Sequence, residues 1–196
     1  MLSSKISSEN YKNQFKEKEE IFNSYFNEVI TRNFFPSNYH SFRHRCEFSV
    51  LNTDHGIKYS MIKDNERVEI DEYPISSESI QILMKDLLKI VNLEEVLYKK
   101  IFQIEFQSSR SKEVMVSLIY HKKLGSDWIE KATLIKDNLK CSVIGRSKKQ
   151  KLIIGQDYVT EEYKSINQSF KLNLYEQCFS QTNPDICDQI ITWVEE

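Results

Sequence analysis

The sequence has 196 residues, of which 40% are hydrophobic and 29% are charged, and its net charge is -2 at neutral pH. This composition is typical of a globular chain with a sizeable core and excludes a disordered protein. The N-terminus has no signal-peptide core, no apolar run is long enough to span a bilayer, and the cysteines match no zinc-site spacing. We therefore expect a cytoplasmic protein with no membrane and no metal partner.

The first predicted element is a long amphipathic helix that ends before the segment FFPSN. Its apolar stripe consists of Tyr11, Phe15, Phe22, Tyr25, Phe26, Val29 and Ile30. The segment SFRHRCEFSV then alternates strictly, which predicts a strand with Arg43 and Arg45 together on its polar face. Two arginines in this arrangement suit a phosphate clamp, and they equally suit ion pairs with Glu47 on a packed polar face.

The central part of the chain predicts strands in adjacent pairs around a helix. GIKYSMI and RVEIDEY predict two strands joined by the turn DNE, and a helix follows that begins at Ser76 or Ser77. IFQIEFQS and EVMVSLIYH predict a hairpin. Phe102 and Phe106 share a strand face with Ile104, so core packing is the first expectation for both. The alternative is an exposed Phe102 that stacks on a nucleobase.

The segment YHKKLGSDW places His121, Lys122 and Lys123 at the end of a strand. A histidine and two lysines in such a place suit phosphate binding and base stacking, although charge runs are more often simply solvated. Asp127 and Glu130 indicate a capping box for the next helix. The apolar residues of that helix are Trp128, Ala132, Ile135 and Leu139.

A basic turn, SKKQ, separates the predicted strands CSVIGR and KLIIGQDYV. Its basic residues suit contacts with an RNA backbone, and they also suit the simple purpose of keeping a hairpin tip in water. These residues are Arg146, Lys148, Lys149 and Lys151. FKLNLYE predicts a last strand, and Asn183 and Pro184 then signal the start of a C-terminal amphipathic helix.

This order of elements predicts an α+β fold with a mainly antiparallel sheet and packed helices rather than a doubly wound fold. The four glycines are isolated, so the sequence has no glycine-rich phosphate loop. No combination of serine, histidine and carboxylate, or of cysteine and a nearby base, indicates a catalytic centre. Cys46 and Cys141 lie in apolar alternation, which is typical of small core residues.

Five collinear segments carry a resemblance to a known family: FRHRCEF, IFQIEF, VSLIYHKKLGSDW, IGRSKKQKLIIGQDYV and CFSQTNP. Together they resemble the bacterial S-adenosylmethionine-dependent tRNA (uracil-5-)-methyltransferases. The resemblance implies an enzyme family that makes ribothymidine in the T-loop of tRNA. It further implies that residues 1–169 form an N-terminal RNA-binding domain, and that residues 170–196 are the first elements of a truncated, Rossmann-like methyltransferase domain.

The resemblance also assigns roles to single residues. Phe102 and His121 match residues that lie against the flipped-out T-loop in the family, and Arg43 and Arg45 match an arginine pair. Gln181 and Asn183 match the signature FxQxN, which lines the cofactor site. The predicted RNA-binding set is Arg43, Arg45, Phe102, His121, Lys122, Lys123, Arg146, Lys149 and Lys151.

The chemistry of the family requires a cysteine thiolate that adds to carbon 6 of uracil, a general base, and a pocket for S-adenosylmethionine. By the resemblance all three lie beyond residue 196, and none of the cysteines present matches the nucleophile. We therefore expect a chain that binds the T-arm of tRNA and contains no catalytic residue, with the methyltransferase domain carried by a separate chain or lost. The alternative is a stand-alone, non-catalytic RNA-binding module or adaptor.

Overall fold

The computed structural model describes residues 7–26, 32–54 and 56–196. The helices are α1 (Ser8–Ser24), α2 (Glu78–Val91), α3 (Glu95–Tyr98), α4 (Ser126–Leu139) and α5 (Pro184–Glu195). The strands are β1 (Arg45–Thr53), β2 (Gly56–Lys63), β3 (Glu66–Ile70), β4 (Ile101–Ser108), β5 (Val114–Tyr120), β6 (Ser142–Ser147), β7 (Gln150–Ile154), β8 (Tyr158–Lys164) and β9 (Ser169–Tyr175). Val29 and Ile30 of the predicted first helix lie outside the described residues.

A seven-stranded sheet forms the centre of the fold, in the order β3-β2-β1-β4-β5-β6-β7. Within the described parts of the chain, all neighbouring strands of this sheet are antiparallel except β5 and β6. Those two are parallel because helix α4 carries the chain back to the end of the sheet where β5 starts, and β6 then runs in the same direction as β5. The predicted α+β class is confirmed, and so are the pairs GIKYSMI with RVEIDEY and IFQIEFQS with EVMVSLIYH. KLIIGQDYV is wrong as a single strand, because the chain turns at Gly155: β7 ends at Ile154 and pairs with β6, while β8 begins at Tyr158 in a separate two-stranded sheet.

The core lies between one face of this sheet and the helices α2, α3 and α4. Helix α2 begins after its N-cap Ser77, whose hydroxyl accepts a hydrogen bond from the Ile80 amide. Its apolar stripe is buried as predicted: Ile80, Leu83, Met84, Leu87 and Val91. Helix α4 buries Trp128, whose indole nitrogen donates to the Tyr120 hydroxyl at 2.9 Å.

Two predictions about helix ends are wrong. Helix α4 begins two residues earlier than a capping box at Asp127 requires, with Gly125 as its N-cap and no side-chain cap bond. Asp127 instead accepts a hydrogen bond from the neighbouring Trp128 amide. Helix α1 ends at Ser24, so Tyr25 and Phe26 follow the helix instead of extending its apolar stripe, and no residue of α1 is buried.

A β-bulge at the start of β4 changes the direction of Phe102. Ile101 pairs with Tyr120 and Gln103 pairs with Ile119, so Phe102 has no partner of its own on β5. One extra residue reverses the alternation, and Ile101 and Ile104 are therefore both buried while Phe102 leaves the core. The expected core position is confirmed for Phe106 and wrong for Phe102.

The hairpin of β8 and β9 covers part of the opposite face of the sheet. Val159 and Leu174 pack on Met115 and Ile144 there, forming a second, small apolar cluster. The predicted domain boundary at residue 170 falls inside this hairpin, where the two strands pair along their whole length. The boundary stays a prediction. None of the helices in the described ranges has both the length and the apolar character needed to cross a membrane.

Gly145 provides a test of core packing because a Cβ there would lie 2.4 Å from the Trp128 ring and 2.7 Å from Leu124. We expect Gly145→Ala to lower the free energy of unfolding by about 2 kcal/mol, because neither buried neighbour has room to move. Chemical denaturation monitored by tryptophan fluorescence measures this change. Lys148→Ala, at the exposed tip of the same hairpin, is the control, and an equal loss there would contradict the packing argument.

Candidate nucleic-acid interface

An open groove lies on the face of the sheet that the helices do not cover, between the start of β4, the end of β5 and the β6–β7 turn. Its volume is 830 Å³. It is lined by Phe102, Gln103, Glu105, Ile119, Tyr120, His121, Lys122, Lys123, Arg146, Ser147, Lys148, Lys149 and Gln150. The groove thus brings together six of the nine predicted RNA-binding residues: Phe102, His121, Lys122, Lys123, Arg146 and Lys149.

A pair of stacked rings lies at one end of the groove. The rings of Phe102 and His121 are 3.9 Å apart between centroids and 11° from parallel. The bulge turns Phe102 toward this face, and the His121 amide is held by a 2.9 Å bond to the Lys100 carbonyl. His121 is exposed, so the outer face of its ring can accept a further ring, such as a nucleobase.

Exposed lysines lie on the two loops that border the groove. Lys123 follows β5, while Lys148 and Lys149 form the tip of the β6–β7 turn. Two hydrogen bonds connect the loops. The Gln150 side-chain amide accepts from the Leu124 backbone nitrogen at 2.9 Å and donates to the Leu124 carbonyl at 2.8 Å. The lysines are therefore presented from a connected backbone rather than from two independent loops.

Lys122 lines the groove but uses its charge inside the protein. Its ammonium donates to the Val96 carbonyl at 2.6 Å and lies 5.3 Å from the Tyr120 ring centroid. Burial lowers the pKa of this ammonium. These contacts give Lys122 a structural role, and its RNA contact stays a prediction.

A buried carboxylate, Glu176, forms ion pairs with two further cations of the predicted RNA-binding set. Its side chain is 2% exposed, and its oxygens lie 3.4 Å from the Arg146 guanidinium and 3.2 Å from the Lys151 ammonium. Lys151 also pairs with Asp157 at 2.9 Å, and the Ser117 hydroxyl donates to Glu176 at 3.3 Å. Arg146 and Lys151 thus attach the end of β9 to the sheet, and this reduces the charge they can offer to a phosphate.

The predicted arginine pair is not presented as a pair. Arg45 opens β1 and donates to the Cys178 carbonyl. Arg43 lies before the strand, where its backbone pairs with Ser76, and its positive charge acts on the Cys46 thiol and the Tyr73 hydroxyl. The expectation that both arginines share the polar face of one strand is therefore wrong, because the strand begins after Arg43.

Polar side chains of β4 form the floor of the groove, and Glu47 of β1 continues this polar surface beyond the groove. The Gln103 amide nitrogen donates to Glu105 at 3.0 Å and to Glu47 at 3.3 Å. Glu47 and Glu105 are direct cross-strand partners. Burial, and then the like charge of Glu47, raises the pKa of the Glu105 carboxyl. Alternation along β4 placed Gln103 and Glu105 on the polar face, but sequence reasoning assigned them no function.

The predicted cofactor-binding residues Gln181 and Asn183 lie in the loop before α5. Asn183 caps that helix by accepting a bond from the Ile186 amide, and its amide nitrogen donates to Ser37 at 2.8 Å. Gln181 lines a crevice beside His44 and Gln107 that leaves no room for a water-sized molecule. Because ligand pockets start at roughly 300 Å³, the described residues do not by themselves fit S-adenosylmethionine.

An ion cluster that sequence reasoning missed joins three separate segments. Arg110, in the β4–β5 loop, lies 2.8 Å from Glu161 on β8 and 2.6 Å from Asp188 on α5. Asp185 adds a third carboxylate at 3.2 Å. Burial alone would lower the pKa of the guanidinium, but hydrogen bonds to Asp188 and Glu161 outweigh it and raise the pKa. The residues are far apart in sequence, so no local pattern signalled the cluster.

The cysteines do not form a reactive centre. Cys46 and Cys141 are buried, as predicted, and burial raises the pKa of each thiol to about 12. Burial also raises the pKa of Cys187, with a further contribution from Asp188. Within the described residues, no group of three or more histidine, cysteine and carboxylate side chains is arranged to hold a metal ion.

The fold is that of an α+β protein, and its open groove combines a ring stack with exposed lysines. Residues 10–196 match the family model described as tRNA (Uracil-5-)-methyltransferase. The chain belongs to the tRNA (uracil-5-)-methyltransferase family.

Two curated relatives show how much of the family protein is present. The tRNA/tmRNA (uracil-C(5))-methyltransferase of Acinetobacter baumannii (strain SDF) is 34% identical over 191 residues, which cover 93% of this chain and 53% of the relative. The enzyme of the same name from Wolinella succinogenes is 36% identical over 191 residues, which cover 94% and 52%. The chain therefore spans about half the length of the curated relatives it matches.

A solved structure supports the fold. The Pyrococcus abyssi tRNA (uracil-54, C5)-methyltransferase, crystallised with S-adenosyl-L-homocysteine, matches with a TM-score of 0.65 and 16% identity. The match covers 94% of this chain and 47% of that chain. At this level of identity the likeness concerns the fold alone.

The Arg110 cluster predicts a large loss of stability when the cation is removed. In Arg110→Met the Glu161 carboxylate, which is 2% exposed, loses its counter-ion, so we expect a loss of about 3 kcal/mol in free energy of unfolding. Lys99→Met is the matched control, because the Lys99–Glu95 pair is exposed and solvent screens it, so its loss should change stability far less. Urea denaturation measures both, and similar losses would show that the cluster is not a stabilising unit.

Removing one carboxylate of the Glu47–Glu105 pair should stabilise the protein, by an amount that depends on pH. Because the folded protein raises the pKa of Glu105, its ionised form destabilises the fold above that pKa, and the penalty disappears as the pH falls below the ordinary carboxyl value. We expect Glu105→Gln to add about 0.5 kcal/mol at pH 7 and nothing near pH 3. Thermal melts across this range measure the difference, with exposed Glu130→Gln as the control. A gain that persists at pH 3 would refute the electrostatic explanation.

Proposed function

We propose that this chain is the tRNA-holding part of a tRNA (uracil-5-)-methyltransferase, and that its groove binds unpaired nucleotides of the T-loop. In the whole protein, the reaction would convert a T-loop uridine to ribothymidine with S-adenosylmethionine as methyl donor. The one observation that carries the proposal is the groove itself, which combines a ring stack with lysines from two connected loops.

The division of labour within the groove follows from its chemistry. Bases of single-stranded RNA stack on aromatic side chains, and phosphates bind cations. We assign base stacking to Phe102 and His121, and phosphate contacts to Lys123, Lys148 and Lys149, whose side chains are exposed. Because the exposed ring of His121 and the lysines line the same groove, one short RNA segment can contact all of them.

We also propose that residues 1–196 alone transfer no methyl group. Three of the four cysteines have pKa values that burial raises, which suppresses the thiolate needed for addition to uracil. Cys178 is exposed in the loop before α5. The loop that holds Gln181 encloses no volume sufficient for the methyl donor. The contribution of this chain is therefore RNA binding, and its cytoplasmic location stays a prediction.

Salt dependence tests the proposal quantitatively. With three lysines on the phosphates of a single strand, we expect the logarithm of the association constant to fall with a slope of about -2 against the logarithm of salt concentration. Affinity for a T-arm hairpin then falls roughly fifteen- to twentyfold between 50 and 200 mM salt. Lys148→Ala/Lys149→Ala reduces the slope to about -0.7. Fluorescence anisotropy of a labelled hairpin measures both proteins.

The matched control is Lys85→Ala/Lys89→Ala, which removes the same charge from exposed positions of α2. Helix α2 lies on the opposite face of the sheet, so its lysines should not affect the slope. Phe102→Ala removes the ring that supports His121 from behind, so the base stacked on His121, a contact of ~1–3 kcal/mol, should bind more weakly by up to about tenfold at every salt concentration. Equal effects of the two lysine pairs, or no effect of Phe102→Ala, would place the RNA elsewhere.

A further inference from the structure

We propose that Glu105 makes the groove selective for guanine at a nucleotide next to the one stacked on His121. The inference rests on the proposed function, since it requires an RNA strand in the groove. It concerns which base the groove reads, which neither stacking nor phosphate contacts can determine, because every base has a stacking face and every nucleotide has a phosphate.

Glu105 is well placed to meet a base edge. It lines the groove together with Phe102, Gln103 and His121. Its cross-strand partner on β5 is Ser117, while Gln103 is paired with Ile119, two residues before His121. Glu105 lies three residues from Phe102 along β4, roughly 10 Å at a rise of about 3.3 Å per residue, so a nucleotide that follows the one on His121 along the same groove can present its base edge to Glu105.

The hydrogen bonds of the floor leave acceptors, not donors, for a ligand. The Gln103 amide nitrogen already donates to both Glu105 and Glu47, so it uses both of its hydrogens within the protein. An ionised carboxylate only accepts. A base that meets this floor must therefore present hydrogen-bond donors.

Guanine is the base that meets this requirement best. Its Watson–Crick edge carries adjacent N1–H and N2–H donors, which match the two oxygens of one carboxylate. Adenine and cytosine each offer one amino group beside an acceptor, and uracil offers one N–H between two carbonyl oxygens. An incoming guanine also replaces water around a carboxylate that is already half-buried and crowded by Glu47.

Binding of short oligouridylates that carry one central guanosine, inosine, adenosine or cytidine tests the inference with the full 196-residue chain. The wild type should bind the guanosine oligomer roughly tenfold more tightly than those with adenosine or cytidine. Inosine lacks the N2 amino group, so its oligomer should bind several-fold more weakly than the guanosine one. In Glu105→Gln the four affinities should agree within about twofold.

Glu47→Gln is the matched control. It removes the same charge from the partner position of the neighbouring strand and breaks the same kind of bond to Gln103, but Glu47 does not line the groove. It should change the affinity for all oligomers alike and keep the preference for guanosine. Glu105→Ala is the second variant, because a glutamine at this position can make a base contact of its own.

The outcomes separate this inference from the proposed function. If the wild type shows no preference for guanosine, or if Glu105→Gln and Glu105→Ala keep it, the guanine assignment is overturned. Phe102→Ala still weakens all oligomers in that case, and the groove remains an RNA site. If the wild type binds no oligomer and no T-arm hairpin, the proposed function is wrong, and the guanine assignment that rests on it is wrong as well. Thermal melts verify that each variant is folded.

Discussion

The buried carboxylate of Glu176 is the constraint on which the exposed face of the sheet depends. It draws Arg146 and Lys151 from two neighbouring strands and accepts from Ser117 on a third, so the end of β9 is fixed against the sheet. A carboxylate that is 2% exposed loses these partners only at high cost, because an unpaired charge would remain buried. The β8–β9 hairpin must therefore lie on one part of this face, and the groove is the part that stays open.

The same constraint divides the basic residues by function. Charge near a buried carboxylate is neutralised inside the protein, while the lysines at the loop tips remain in water and free to meet phosphates. The second buried carboxylate, Glu161, acts similarly on Arg110 and ties α5 to the hairpin. Stability and the proposed RNA binding thus depend on different basic residues, although the sequence alone does not distinguish the two groups.

Local patterns predicted the parts of the fold that depend on local chemistry. The apolar stripe of α2, the turns between paired strands, and the Asn183 cap of α5 all follow from short-range spacing. The bulge at Phe102 was not predictable from local patterns, because it depends on the pairing register between β4 and β5. The family resemblance identified Phe102 and His121, but only the register explains why their rings meet outside the core. The partners of Arg146 and Arg110 lie 30 and 51 residues away, beyond any local signal.

The central claim is that RNA enters the groove beside the Phe102–His121 stack. Nuclear magnetic resonance of the isotopically labelled chain, titrated with a T-arm hairpin, tests it most directly. The account predicts upfield ring-current shifts of the Phe102 and His121 ring protons, with amide changes confined to the start of β4, the loop after β5 and the β6–β7 turn. Shifts centred on α2, α1 or α5 instead, with the two rings unchanged, would contradict it.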